Sequence, residues 1–183
     1  MSTIRLINGS CAEQEVDAVV NAANRMLRAG GGICGAIFDK AGLRELTAEC
    51  NKCRTPLKDG EAVITSACNM KNAKAIIHAV GPNFGATPDA YDELFAAYYN
   101  SLIVLRDNGY HSISFPLISA GIFSGNLANP AAESTKQCCK VYRRFVEDYP
   151  DYSVDVVLCV FSSREVPSAQ AAYDAVIRDG KEM

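Results

Sequence analysis

Long apolar runs are missing from this 183-residue sequence. No segment approaches the roughly 20 consecutive apolar residues that a membrane-spanning helix needs, and residues 1–5 do not begin the apolar core of a signal peptide. An excess of positive charge is also missing, because 18 Lys and Arg residues face 21 Asp and Glu residues, for a net charge of −3. We therefore expect a cytoplasmic protein, with nucleic acid disfavoured as a partner.

Histidine is scarce, and paired cysteine motifs are nearly absent. The two histidines are His78, in a predicted apolar strand, and His111, in a predicted turn, and neither suggests a Ser-His-Asp arrangement. We interpret His78 as a core histidine with satisfied hydrogen bonds. The eight cysteines contain one C-x-x-C motif, at residues 50–53, without the second motif or His pair of a zinc site. The sequence thus predicts structural thiols and no metal, with a metal site or a redox pair as the minor alternatives.

The composition is that of an ordinary folded domain, with 49% apolar and 21% charged residues. The length suits one domain over residues 1–183. Apolar periodicity predicts strands over residues 4–7, 16–20, 61–65, 74–80, 112–118 and 154–161, and helices over residues 36–50, 89–107, 131–145 and 168–178. This alternation predicts an α/β fold with a mostly parallel or mixed sheet between helices. Ligands of such folds bind beyond the carboxyl ends of strands.

A glycine cluster follows the second predicted strand. Residues 16–24 read VDAVVNAAN, and residues 30–37 read GGGICGAI. Glycine lets backbone N–H groups approach a ligand closely, and a helix that begins there favours an anion. The pattern therefore predicts a phosphate-binding loop, although it matches neither the dinucleotide fingerprint nor the Walker A motif. A simple flexible loop is the alternative.

A second small-residue loop, SAGIFSG at residues 119–125, also follows a buried strand and precedes a helix. Two such loops could hold a pyrophosphate from both sides, although two unrelated turns would have the same composition. The amide of Asn24 suits a pair of ribose hydroxyls, with a turn-forming role as its alternative. Phe123 and Phe161 could stack on a sugar or a base, or they could simply pack.

Taken together, these segments resemble those of macrodomains. The resemblance runs in order along nearly the whole chain, through VDAVVNAAN and GGGICGAI to GEA at residues 60–62, IHAVGPNF at residues 77–84 and FPLISAGIF at residues 115–123. It implies a three-layer α/β/α sandwich with a mixed, largely parallel central sheet that binds ADP-ribose, free or protein-linked. In the MacroD-type branch it also implies hydrolysis of ADP-ribose esters on acidic side chains, and in some members deacetylation of O-acetyl-ADP-ribose, without a metal or another cofactor.

The resemblance also implies roles for individual residues. Asn24 would hold the distal ribose and Phe123 would shield it, while Phe161 would flank the adenine close to Ser10 and the Cys11 backbone. The loops would line the pyrophosphate from two sides, with Gly31, Gly32, Ile33 and Cys34 on one and Ser119, Ala120, Gly121, Ile122 and Phe123 on the other. Asn24, Gly32 and Phe123 are the residues that we expect to support catalysis.

Two positions depart from the usual family pattern. Ser10 stands where the family usually has an Asp that accepts a hydrogen bond from the adenine amine, so we expect weaker adenine recognition. Cys34 stands where many MacroD-type hydrolases have an Asp with a catalytic role, and Phe38 where they often have His. Some viral macrodomains also lack that Asp, and their group includes active hydrolases. Cys34 as a nucleophile is the minor reading, because no His or Lys is placed to activate it.

These observations predict a monomeric mono-ADP-ribosyl hydrolase that acts on modified glutamate and aspartate side chains, or on O-acetyl-ADP-ribose. A water molecule, oriented by a substrate phosphate oxygen and by Asn24, would attack at the ribose or at its ester, and positioning would supply most of the rate. Two alternatives remain open at this point. One is a non-catalytic module that binds ADP-ribosylated proteins, and the other is a phosphatase acting on ADP-ribose 1″-phosphate.

Overall fold

Six strands form one sheet in the computed structural model, which describes residues 1–180. The strands are β1 (Thr3–Asn8), β2 (Ala18–Ala23), β3 (Ala62–Ser66), β4 (Ala75–Val80), β5 (Ser112–Phe115) and β6 (Asp155–Val160). Their spatial order is β1-β6-β5-β2-β4-β3, and all neighbours are parallel except the antiparallel pair β3 and β4. The predicted mixed, largely parallel sheet is confirmed.

Helices pack on both faces of this sheet. They are α1 (Gly32–Ala41), α2 (Leu43–Cys50), α3 (Tyr91–Asp107), α4 (Pro130–Asp148) and α5 (Val166–Tyr173). Ala18 and Val20 of β2 face the core built with α3 and α4, whereas Val19 and Ala23 face the core built with α1 and α2. Because successive side chains of a strand point to opposite faces, β2 is apolar on both, as the α/β/α sandwich requires. No helix within residues 1–180 is long and apolar enough to cross a membrane.

The predicted helix over residues 36–50 is wrong in its bounds, because two helices occupy this region and the first begins at Gly32. Gly42 separates them with φ at +97°, a conformation that side chains rarely adopt. A Cβ built there would clash with the Glu45 carboxylate. The apolar spacing continues across the break, so periodicity alone could not reveal it.

Three other predicted bounds also need correction. The strand predicted over residues 16–20 is β2, which continues to Ala23 because its polar residue Asn21 pairs in register with His78 of β4. The strand predicted over residues 112–118 ends at Phe115, because the following proline cannot donate to the ladder. The last helix begins at Val166, two residues before its predicted start, and continues into a π-helical turn at Asp174–Arg178.

All eight cysteines are free thiols. Cys50 lies at the end of α2, with its Sγ 3.9 Å from Nε2 of His78, and Cys53 is half-buried just beyond it. Among residues 1–180, no three His, Cys, Asp or Glu side chains are placed to hold a metal ion. Burial raises the pKa of Cys50 to about 12, so this thiol stays protonated at neutral pH, as is typical of cysteines that pack in a core.

Candidate functional site

The carboxyl ends of β1, β6, β5 and β2 lie side by side at one edge of the sheet, and two adjoining cavities open there. The first, of about 310 Å³, is lined by segments that follow β1, β5 and β6. The second, of about 420 Å³, is lined by segments that follow β2 and β5. The cavities share a wall that consists of Gly32, Ile33, Leu117 and Gly121. A single elongated ligand could therefore extend from one cavity into the other.

Every site residue predicted from the sequence lines one of these cavities. The first cavity contains Ser10, Cys11, Ala120 and Phe161; the second contains Asn24, Gly31, Cys34, Ser119, Ile122 and Phe123; the shared wall contains Gly32, Ile33 and Gly121. Leu117 and Glu165 are among the lining residues that sequence reasoning did not single out. Leu117 lies within the recognised segment of residues 115–123 and could have been found there, whereas no motif marks Glu165.

The shared wall contains the amino end of α1, a helix of ten residues. Gly31, at the N-cap position, has no side chain to bind the first N–H groups of the helix, so these donors are available to a ligand. Gly32 has φ at +58°, a left-handed conformation that favours glycine. No atom lies within 4 Å of the place that a Cβ would take at Gly31, Gly32 or Gly121. In both loops the backbone is thus exposed to the cavity without side chains in front of it. This arrangement suits an anion.

Asn24 lies one residue beyond β2, and its side chain binds the backbone of its own loop. Its Nδ2 donates to the Arg28 carbonyl at 2.8 Å, and its Oδ1 accepts from the Arg28 N–H at 3.0 Å. The Cys34 thiol donates to the same carbonyl, with Sγ 3.6 Å from the oxygen. The Arg28 backbone therefore links the two side chains. Because an amide has a second N–H and a second lone pair, Asn24 can still bind a hydroxyl.

Cys34 is the only titratable side chain that lines the second cavity, as far as residues 1–180 describe it. Burial raises the pKa of this thiol, and the Asn21 side chain and the Gly30 backbone oppose that rise only in part. No His, Lys, Asp or Glu lines the same cavity to take its proton. A raised pKa and the lack of a base both disfavour a nucleophilic thiol.

A buried polar network lies between β2 and its neighbours in the sheet. Nδ2 of Asn21 is 3.0 Å from Nδ1 of His78, and Nε2 of His78 is 2.9 Å from Oγ1 of Thr65. Since the amide nitrogen can only donate, Nδ1 has the lone pair, and the neutral ring donates from Nε2 to Thr65. Burial lowers the pKa of His78 to about 4. The predicted core histidine is confirmed, and the ring lines neither cavity.

The segment after β5 is fixed by buried hydroxyl groups beneath it. Oη of Tyr98 accepts from the Ile118 N–H at 3.0 Å and lies 2.6 Å from Oγ of Ser134, which donates to the Ile118 carbonyl at 2.6 Å. Ser119, with φ at +59°, donates from Oγ to the Pro82 carbonyl at 2.7 Å. Fully bonded polar groups in a low-dielectric interior hold one geometry, so this side of the shared wall has a defined shape.

The lining of the first cavity is more apolar than that of the second, and it includes an exposed aromatic ring and a carboxylate. Oγ of Ser10 accepts the Ala12 N–H at 3.3 Å and so caps the 3-10 turn at Cys11–Glu13. Phe161 is 80% exposed at the rim, which leaves its ring available to stack on a planar ligand. Glu165 is the only charged residue that lines this cavity within the described part of the chain.

Comparison with known proteins agrees with this geometry. Residues 20–135 match the model of the Macro domain family. The O-acetyl-ADP-ribose deacetylase of Escherichia fergusonii is 44% identical over 126 residues, which cover 67% of this chain and 70% of that protein. The ADP-ribose glycohydrolase MACROD1 of Rattus norvegicus is 35% identical over 164 residues, which cover 88% of this chain and 61% of that protein.

The fold also matches a solved structure along almost its whole length. The Oceanobacillus iheyensis macrodomain with ADP is 30% identical, and the match has a TM-score of 0.86 and covers 97% of this chain and 93% of that one. The family match includes the last four residues of β2, the glycine loop after it and the loop after β5, which together form the second cavity and the shared wall. On these grounds, the chain belongs to the macrodomain family.

Proposed function

We propose that this protein binds ADP-ribose across both cavities and hydrolyses the bond that joins it to acidic side chains of modified proteins. The observation that carries the proposal is the pair of adjoining cavities with the open amino end of α1 in their shared wall. In this arrangement the adenosine half of the ligand occupies the first cavity and the distal ribose occupies the second. The pyrophosphate then lies between the backbones of Gly32 and Gly121.

Each part of ADP-ribose has a chemical counterpart in this arrangement. The pyrophosphate would accept hydrogen bonds from the free N–H groups at the start of α1, where the helix dipole favours negative charge. The exposed ring of Phe161 offers a stacking face to a base, and the amide of Asn24 offers hydrogen bonds to ribose hydroxyls. AMP would occupy only the first cavity and one end of the shared wall, so we expect it to bind much more weakly.

The hydrolytic step would depend on positioning rather than on a side-chain base. No carboxylate or imidazole of residues 1–180 lines the second cavity, and its thiol is disfavoured as a nucleophile. A water molecule held by a substrate phosphate oxygen and by Asn24 would attack the ester, which breaks to release ADP-ribose and the free carboxylic acid. Gly32 and Phe123 would confine the distal ribose beside that water. Holding two reactants in a productive geometry can supply several kcal/mol of barrier reduction.

The same site would accept O-acetyl-ADP-ribose, because an acetyl ester and a glutamyl ester are both carboxylic esters of ribose. The name of the Escherichia fergusonii relative supports this second substrate. A non-catalytic module that recognises ADP-ribosylated proteins is the competing function. It is favoured by one observation, which is that no side-chain general base from the described residues lines the second cavity.

Two measurements on the same preparation test the proposal. Calorimetry with ADP-ribose and with AMP measures binding, and incubation with a protein ADP-ribosylated on Glu or Asp measures release of free ADP-ribose. We expect heat with ADP-ribose, much weaker binding of AMP, and release that follows enzyme concentration. No heat with ADP-ribose at millimolar concentration would contradict the binding site itself. Binding without release would instead favour the recognition module.

A further inference from the structure

One carboxylate in the first cavity has no partner. Glu165 ends the 3-10 turn at Ser163–Glu165, which follows β6 and Phe161. The residue is half-buried and lines the cavity, and within residues 1–180 its carboxylate forms no hydrogen bond or ion pair. Glu13, in the turn that follows β1, by contrast pairs with Lys40 at 2.7 Å. An unpaired carboxylate beside an apolar cavity is therefore available to a ligand.

The remaining polar side chains of the first cavity offer little to a donor group on a ligand. Oγ of Ser10 already accepts the Ala12 N–H at 3.3 Å. The buried Cys11 thiol donates to the Val20 carbonyl at 3.4 Å. Among residues 1–180, Glu165 is consequently the one charged acceptor that a ligand in this cavity can meet. Hydrogen bonds to a charged group are stronger than those to a neutral one.

The position of Glu165 indicates which end of the ligand it meets. It lines only the first cavity and is not part of the shared wall, where the pyrophosphate would bind. A carboxylate among phosphates would repel them, so its useful place is at the far end of the ligand. Phe161 lies on the same segment, and its exposed ring suits a planar base at that end.

We infer that Glu165 is a specificity-determining residue that selects adenine by accepting a hydrogen bond from the exocyclic amine of the base. This inference rests on the proposed binding of ADP-ribose. Hypoxanthine has nearly the same shape, but it has a carbonyl oxygen where adenine has that amine and an N–H where adenine has the acceptor N1. A carboxylate accepts a hydrogen bond from the amine but repels the carbonyl oxygen. Glu165 should therefore make the protein prefer adenine to hypoxanthine by roughly tenfold to a hundredfold in Kd.

The test compares ADP-ribose with its hypoxanthine analogue by calorimetry on wild type and two variants. Glu165→Gln replaces the carboxylate with an amide that can accept from the amine or donate to the carbonyl, so the ratio of the two Kd values should fall close to one. Glu147→Gln removes the same charge from an exposed position on α4 that lines neither cavity, and it should keep the wild-type ratio. Thermal unfolding of both variants checks that they fold.

Three outcomes would overturn the inference, and they are distinguishable. If Glu165→Gln binds both ligands with their wild-type affinities, the carboxylate does not contact the base. If it weakens both ligands equally, the carboxylate binds a group that they share, such as the adjacent ribose hydroxyls. If wild type binds neither ligand, the proposed function fails, and the inference fails with it.

Discussion

The two cavities differ in the groups that a ligand would meet. Large and charged side chains line the first, whereas backbone and small residues form much of the second. The first contains the ring of Phe161 and the carboxylate of Glu165. The second contains the run Gly30, Gly31 and Gly32, and Asn24 offers it a side-chain amide. Backbone N–H groups bind any phosphate, but side chains separate one ligand from another. The difference suggests that the first cavity selects the ligand and the second holds it for reaction.

The largest effect should come from Gly121→Glu, which affects both cavities at once. A Cβ at Gly121 would meet no atom within 4 Å, so the new side chain fits into the ligand's space without disturbing the fold. Its negative charge would then lie where the pyrophosphate binds. We expect ADP-ribose affinity to fall below detection, by more than roughly a hundredfold, in calorimetry.

Gly121→Ala is the matched control, because it adds bulk at the same place without charge. It should bind ADP-ribose more tightly than Gly121→Glu and unfold at a similar temperature. Affinity near the wild-type value in Gly121→Glu would mean that the shared wall does not hold the phosphates.

The next largest effect should come from Asn24→Ala, which changes the second cavity but not the first. Asn24→Ala should reduce the rate of ADP-ribose release from a Glu- or Asp-modified protein by on the order of a hundredfold, because the distal ribose loses its alignment. Binding should weaken less, since the first cavity and the shared wall are intact. Asn24→Asp keeps the acceptor for the Arg28 N–H, so it reports how much of the loss comes from the loop alone. A loss below tenfold in Asn24→Ala would argue against its catalytic role.

A smaller effect, expected from Ser10→Asp, tests whether the first cavity selects the ligand. Asp is a good N-cap residue, so Ser10→Asp should keep the hydrogen bond to the Ala12 N–H and add a charged acceptor for the base. We expect ADP-ribose to bind more tightly by roughly 0.5–1.5 kcal/mol, measured by calorimetry. In a Glu165→Gln background the gain should be larger, since two carboxylates in one cavity repel each other. Unchanged or weaker binding in both backgrounds would mean that Ser10 does not face the base.

The smallest effect should follow from Cys34→Ala. The variant loses one long thiol hydrogen bond to the Arg28 carbonyl, so the rate of ADP-ribose release should stay within roughly threefold of wild type. The assay is the same release measurement, with binding followed in parallel. An inactive variant that still binds ADP-ribose would show that the thiol takes part in the reaction.

The sequence predicted the sheet and the loops of the site because local patterns encode them. β2, β4 and β6 are largely apolar on both faces, and the glycine cluster lies between the end of β2 and the start of α1, so periodicity and composition were sufficient. Gly42 shows the limit, since a glycine within an apolar helical pattern does not reveal its own φ. The boundary at Phe115 was missed although Pro116 follows it, because apolar residues continue past the end of the strand.

Some features of the site depend on contacts between distant segments and could not be predicted. Glu165 reaches the first cavity only because β6 lies beside β1, and no motif marks that contact. The bonds from Asn24 to the Arg28 backbone are equally hidden, since an amide next to a loop has many possible partners. The residue types were therefore predictable, while their partners were not.

The hydroxyl groups of Tyr98 and Ser134 determine when the loop after β5 becomes ordered. They bind the N–H and the carbonyl of Ile118, so the loop acquires its shape as the protein folds and not when a ligand arrives. Fixing a residue's backbone costs roughly 1–2 kcal/mol in conformational entropy. A loop that ordered only on binding would subtract that cost from the affinity for each residue involved. The Ile118 amide should accordingly exchange slowly with deuterated water even in the free protein, so that ligand affinity can come from a comparatively small number of contacts.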